Sequence, residues 1–237
     1  MIKVVVFDLD DTLYDEIDYC RSGFQAVAEF LSNLTKSTPT QSIFEILWKE
    51  FIQGNRTRTF NAALEKIEMP YDDKLITELV NVYRTHIPQI TLPEDSRDIL
   101  EQLSKRYILA MLTDGFLPAQ KLKVQALGIE SFFQYIIYTE ELGRDCWKPS
   151  PVGFEKILHT LKVNPENSVY IADNEKKDFI APNKMGFLTI RLVRPASLHN
   201  LNCPETHAAA QYKIQKINEL PTLLEQLSTG YKQENAT

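Results

Sequence analysis

The sequence predicts an α/β fold, a doubly wound parallel sheet with a second, smaller all-helical domain. Two patterns lead there. Short β-branched and aromatic runs alternate with segments of helical spacing over most of the chain, and one long stretch, residues 15–88, has helical spacing and no convincing strand. The 237 residues, 43% of them hydrophobic and 24% charged, are enough for a large core and a smaller domain, and this composition excludes disorder and fibres. The expected division is a core of residues 1–14 and 89–237 interrupted by a helical domain of residues 15–88.

Ile2 to Phe7 carries one charge and suits a central strand buried on both faces. Tyr19 to Leu34, Gln41 to Gln53, Thr59 to Ile67 and Asp72 to His86 then repeat apolar residues at helical spacing. Pro70, Pro88 and Pro93 punctuate the end of this stretch, where helices stop before proline. Beyond it, strands are expected at Ile108 to Thr113, Tyr135 to Thr139, Ser168 to Ala172 and Leu188 to Val193. Helices are expected at Glu94 to Lys105, Ala119 to Leu127, Pro151 to Leu161 and Lys176 to Met185. Asn200 to Gln211 reads as a polar loop, Tyr212 to Ile214 as a short strand, Ile217 to Leu227 as a last helix and Ser228 to Thr237 as a frayed tail.

Charge and cysteine usage narrow the function classes. The net charge of −6 disfavours a nonspecific nucleic-acid or anionic-membrane surface. Cys20, Cys146 and Cys203 form no close pair, so reduced thiols in a cytoplasmic protein are expected instead of disulfides or a zinc site. The apolar run Met1 to Phe7 is too short for a targeting signal, and no run reaches the roughly 18 residues of a membrane span. His86, His159, His199 and His207 form no short ligand motif, and neither a P-loop nor GxGxxG is present.

Asp8-Leu9-Asp10-Asp11-Thr12-Leu13 follows the first strand directly. Three carboxylates at the end of a buried strand repel one another and lose hydration, so they need a compensating cation or hydrogen-bond donors, and a hard divalent ion such as Mg²⁺ is the natural partner. The other reading is a solvated acidic turn. A calcium loop counted from Asp8 fails, because its sixth position is Leu13 where glycine belongs and its twelfth is Tyr19 where glutamate belongs.

At these residues the chain resembles the haloacid dehalogenase-like superfamily of phosphohydrolases, whose first motif is a strand ending in Asp-x-Asp-x-Thr/Val; Asp8 to Thr12 matches it in full. The family's second motif is a Ser or Thr ending the next core strand, here Thr113 followed by Asp114 and Gly115. Its third is a lysine before a helix, here Lys148 in Trp147-Lys148-Pro149-Ser150-Pro151, with Ser150 placed to cap the helix and Pro151 at its first position. Its fourth is a strand ending in an acid pair, here Asp173 and Asp178, with Ala172 where relatives carry glycine.

The resemblance implies that Asp8 is a nucleophile forming an aspartyl-phosphate and that Asp10 is a general acid and base. It further implies that Asp8, the Asp10 backbone carbonyl and Asp173 hold Mg²⁺, that Thr113, Asp114 and Lys148 surround the phosphoryl group, and that Asp178 supports Lys148 or a metal-bound water. The substrate would be a small phosphomonoester, with no nucleic-acid or membrane partner. Residues 15–88 match the position of the family's α-helical cap, whereas the 32 residues between Gly115 and Lys148 are too few for a large cap there. Phe24, Arg56, Arg58, Phe60 and Tyr83 are cap residues that either face a cleft or pack the cap. A phosphomutase and a noncatalytic phosphometabolite-binding protein remain alternatives, while Asp10 with Asp173 argues against halide displacement, which needs neither metal nor a second acid.

Overall fold

The computed structural model describes residues 1–195 and 206–234, and Cys203 and His199 lie outside them. Contacts divide the chain into two compact units. The first comprises Met1–Glu16, Thr91–Gly115 and the described residues from Leu127 onward; the second comprises Ile17–Ile90 with Phe116–Ala126.

The first unit is built on a six-stranded, all-parallel sheet of β1 (Val4–Phe7), β2 (Ile108–Thr113), β3 (Tyr135–Tyr138), β4 (Ser168–Ala172), β5 (Leu188–Leu192) and β6 (Tyr212–Ile214), ordered β3-β2-β1-β4-β5-β6. This is the expected doubly wound arrangement. Every residue of β1 and β4 is buried, which is why these strands are continuous apolar runs without polar alternation. Val4 is registered between Ile108 and Ser168, so β1 lies centrally with β2 on one side and β4 on the other. Strand order reverses between β1 and β4, and the crevice outside the carboxyl ends at such a reversal is where ligands bind in this class of sheet.

Helices α5 (Glu94–Ser104), α7 (Val152–Leu161), α8 (Ile180–Met185) and α9 (Leu220–Glu234) complete the unit. Phe154 of α7 meets Tyr170 edge-on at 4.8 Å between ring centroids and Phe187 at 5.6 Å, inside a cluster that includes Val4, Val6, Leu112 and Phe179. Gly153 lets α7 approach this closely: a Cβ there would come within 2.4 Å of the Leu112 Cδ1, and Leu112 is fully buried. Gly153→Ala is therefore expected to lower stability by about 1–2 kcal/mol, overpacking outweighing the helix propensity gained, as a lower urea midpoint with unchanged slope.

Element ends shift from expectation at several places, among them the starts of α7 and α8 and the end of the last helix. Helix α8 begins at Ile180, four residues after Lys176, because Asn174 and Asp178 fold the intervening residues into a turn: the Lys177 and Asp178 amides donate to the Asn174 carbonyl. Ser150 does not cap α7, which starts after Pro151 without a side-chain cap; its amide instead donates to the Trp147 carbonyl at 2.9 Å. The expected tail from Ser228 remains helical to Glu234.

The second unit contains α1 (Glu16–Thr35, from its second residue), α2 (Thr40–Ile52), α3 (Thr59–Lys66), α4 (Asp73–Thr85) and most of α6 (Ala119–Leu127). It is wider than the 15–88 stretch by the α6 segment, whose Lys123 ammonium lies 4.2 Å from the Tyr19 ring centroid. Phe24 is surrounded by Trp48, Phe51, Phe60 and Tyr83, so the aromatic residues of this unit pack its interior.

His86 closes the unit's last turn. Its Nδ1 donates to the Tyr83 carbonyl at 2.7 Å, which leaves Nε2 of the neutral ring to accept from the Ser22 hydroxyl at 3.0 Å, and Ser22 in turn accepts from the Gln89 amide. Burial holds the His86 imidazolium below its ordinary range, with Lys123 adding to the effect. The unfolded chain then binds the proton first, so this contribution to stability is complete above about pH 6.5 and is lost as the pH falls toward the lowered folded value. His86→Gln is expected to destabilise more at pH 7.5 than at pH 5.5 in urea unfolding.

Candidate active site

The acidic turn divides its three carboxylates among three tasks. Beyond β1 the Asp8 amide still pairs with the Ile171 carbonyl of β4 at 2.9 Å, after which the Leu9 carbonyl accepts from the amides of Thr12 and Leu13 in one tight turn. Asp11 takes a left-handed φ of 51° in that turn, which aspartate tolerates better than most residues, and its Oδ1 accepts from the Glu16 amide at the start of α1. Asp10 accepts a hydrogen bond from the buried Tyr14 hydroxyl. Arg194 braces the turn by donating to the Thr12 and Leu13 carbonyls and to Ser96, with Asp15 3.5 Å from its guanidinium.

Asp8 itself faces Lys148. The Lys148 Nζ is 2.8 Å from the Asp8 Oδ1, 2.8 Å from the Asp178 Oδ1 and 3.0 Å from the Tyr170 hydroxyl, with its side chain fully buried. The Asp114 Oδ1 accepts from the Thr139 hydroxyl at 2.8 Å and the Lys148 amide at 3.2 Å, while Oδ2 lies 3.2 Å from the Lys177 Nζ. One carboxylate thus ties together the ends of β2 and β3, the lysine turn and the turn after β4. Thr113 is buried as the last residue of β2. Asp173 follows β4, with Arg191 donating to its backbone carbonyl and paired with Glu175.

Oxygens of Asp8, Asp173 and Asp178 lie within 4.8 Å of one another, and all three residues are buried. Such a set of hard oxygen donors fits a divalent cation, and the electrostatics point the same way. Burial pushes the Asp8 carboxyl up to about 7 despite the opposing pull of Lys148, so an added positive charge here would favour the ionised form. Burial alone would also raise Asp114, but Lys148 and Lys177 outweigh it and hold that carboxyl below its ordinary range. Burial disfavours charge on Lys148, yet Asp178 and Asp8 hold its pKa well above the usual lysine value. Asp178 stands with the grouped carboxylates, its other oxygen accepting from the Asn174 amide; the Asp10 side chain is outside that group, and only its backbone carbonyl was expected to serve a metal.

Asp8, Lys148, Asp173, Asp178 and Asp114 therefore stand on one side of the sheet's carboxyl edge. Tyr170, Thr139, Lys177, Arg191 and Arg194 join them, none having been singled out by a sequence signal. Cys20 and Cys146 form no disulfide among the described residues. Among the described residues, no helix is long and apolar enough to cross a membrane.

A haloacid dehalogenase-like hydrolase family model matches residues 2–186. The chain is 28% identical over 236 residues to the glyceraldehyde 3-phosphate phosphatase of Methanopyrus kandleri, covering 96% of this chain and 99% of that protein. It is 25% identical over 242 residues to the N-acylneuraminate-9-phosphatase of Rattus norvegicus, covering 95% of each. Among solved structures, the 2-haloacid dehalogenase from Pseudomonas syringae pv. Tomato DC3000 superposes with a TM-score of 0.66 at 24% identity, over 96% of this chain and 100% of that one.

Proposed function

Because the chain belongs to the haloacid dehalogenase-like hydrolases, we propose that it is a Mg²⁺-dependent phosphatase of a small phosphorylated metabolite, a sugar phosphate or similar phosphomonoester. The observation that carries this reading is the buried lysine at 2.8 Å from both Asp8 and Asp178, with Asp173 beside them. Relatives named as phosphatases of glyceraldehyde 3-phosphate and of an N-acylneuraminate 9-phosphate support the substrate class. The helical residues 15–88 are assigned as a cap that selects the substrate.

Phosphate esters resist attack because their anionic oxygens repel nucleophiles, so the site must gather positive charge and hold an oxygen in line. Asp8 attacks phosphorus, and the ester P–O bond breaks as Asp10 protonates the departing alcohol. Asp10, now ionised, takes a proton from water as that water attacks the aspartyl-phosphate, which releases phosphate and restores the Asp8 carboxylate. Lys148 offsets the charge gathered at Asp8, Asp178 holds Lys148, and Thr113 offers a hydroxyl to a phosphoryl oxygen. A magnesium ion held by Asp8, Asp173 and the Asp10 carbonyl would neutralise phosphoryl charge when bound.

A panel of phosphate monoesters, assayed with Mg²⁺ and again after chelation, tests the reading. Release of inorganic phosphate from at least one sugar phosphate, lost on chelation and restored by added Mg²⁺, is expected. An isomeric sugar phosphate as product would indicate a mutase, and no reaction across the panel would indicate a binding protein. Asp10→Asn should still form the phosphoenzyme from an aryl phosphate, whose phenolate departs without protonation, but release it slowly, because water attack loses its base. In rapid-quench assays this variant should keep a burst of about one equivalent, with its steady-state rate down by about 10²–10⁴-fold.

A further inference from the structure

Lys148 has three N–H bonds to donate and three oxygens around it. Asp8, Asp178 and Tyr170 lie at 2.8 to 3.0 Å, and the side chain has no exposed surface. A phosphoryl oxygen would have to compete with these oxygens for the ammonium, two of them on carboxylates. Lys177 is placed differently. It bonds Asp114 at 3.2 Å, and its side chain is 35% exposed.

The sheet determines what Lys177 lies near. Lys177 belongs to the turn after β4 and Asp114 follows β2, while β1 runs between those two strands and ends at Asp8. Their ion pair therefore joins the turns on either side of the carboxyl end of β1. The turn is fixed from within: Asn174 accepts the Lys177 amide, and Asp178 accepts the Asn174 amide. The charge of Lys177 is also felt at Asp8, where it favours the carboxylate.

We propose that Lys177 is a phosphate-binding residue, donating to the phosphoryl oxygens of the ester seated at Asp8 while Lys148 stays on the nucleophile. This assignment rests on the phosphatase reading above. The competing role is purely local, with Lys177 serving only to neutralise Asp114.

The two roles separate by substitution. In the presence of Mg²⁺, the dissociation constant of inorganic phosphate is measured by calorimetry, and kcat and KM are measured for the best ester of the panel. Lys177→Met should weaken phosphate binding and raise KM by about tenfold or more, with a smaller fall in kcat, whereas Lys177→Arg should retain most of the affinity. The double variant Asp114→Asn/Lys177→Met removes both charges of the pair, so it remains informative if the single variant does not fold, and it should bind phosphate as weakly as Lys177→Met. Wild-type affinity in either the single or the double variant overturns the assignment and leaves the phosphatase reading intact. A wild-type protein that hydrolyses no ester of the panel overturns that reading, and the Lys177 assignment with it.

Discussion

Asp8→Asn is expected to abolish turnover of phosphate monoesters, with a fall of at least about 10⁴-fold in kcat, because under the proposed mechanism the amide cannot form the aspartyl-phosphate. The substitution is nearly isosteric and removes the charge that burial makes costly at this position, where the Asp8 carboxyl is pushed up to about 7. Lys148 keeps Asp178 as its counter-ion. The fold should therefore survive, as an unchanged circular dichroism spectrum and a thermal midpoint no lower than that of the wild type. Full activity in the folded variant would defeat the nucleophile assignment.

Lys148→Met is expected to damage both activity and stability. It removes the cation that stands between Asp8 and Asp178, two carboxylates taken out of water at the end of β1 and beyond β4. Breaking a buried pair by deleting one partner leaves an uncompensated charge, and here two would repel each other. A loss of about 3–5 kcal/mol in urea unfolding without metal follows. Turnover should fall by about 10²–10³-fold even with Mg²⁺ present, since the charge gathered at Asp8 loses one preorganised cation. A double variant, Lys148→Met with Asp178→Asn, should recover part of the stability but little of the activity, which separates the two effects.

The sheet was legible because its central strands are buried on both faces. Strands β2 and β4 run over the residues that their apolar composition predicted, and the acids that follow β1 and β4 mark where apolar sequence gives way to the sheet's edge. The start of α8 was not legible: Lys176 and Lys177 look helical, and only the closure of Asn174 on Asp178 turns the chain before Phe179. Several candidate site residues were legible as motifs, since Asp8, Asp114 and Asp173 each follow a strand directly. The rest depends on pairs far apart in the chain. Lys177 and Asp114 are 63 residues apart and Arg194 and Thr12 182, and no local spacing encodes either meeting. Ser22 and His86, 64 apart, meet for the same reason inside the helical unit.

The most direct measurement is chemical capture of the intermediate. Asp10→Asn protein is mixed with an aryl phosphate, whose leaving group needs no proton, for one burst, quenched in acid, digested and analysed by mass spectrometry. The mechanism requires a single added phosphoryl group on the peptide that carries Asp8, absent when Asp8→Asn is combined with Asp10→Asn. Phosphate released by the wild type while the Asp8 peptide stays unmodified, or a label found on any other residue, would contradict it.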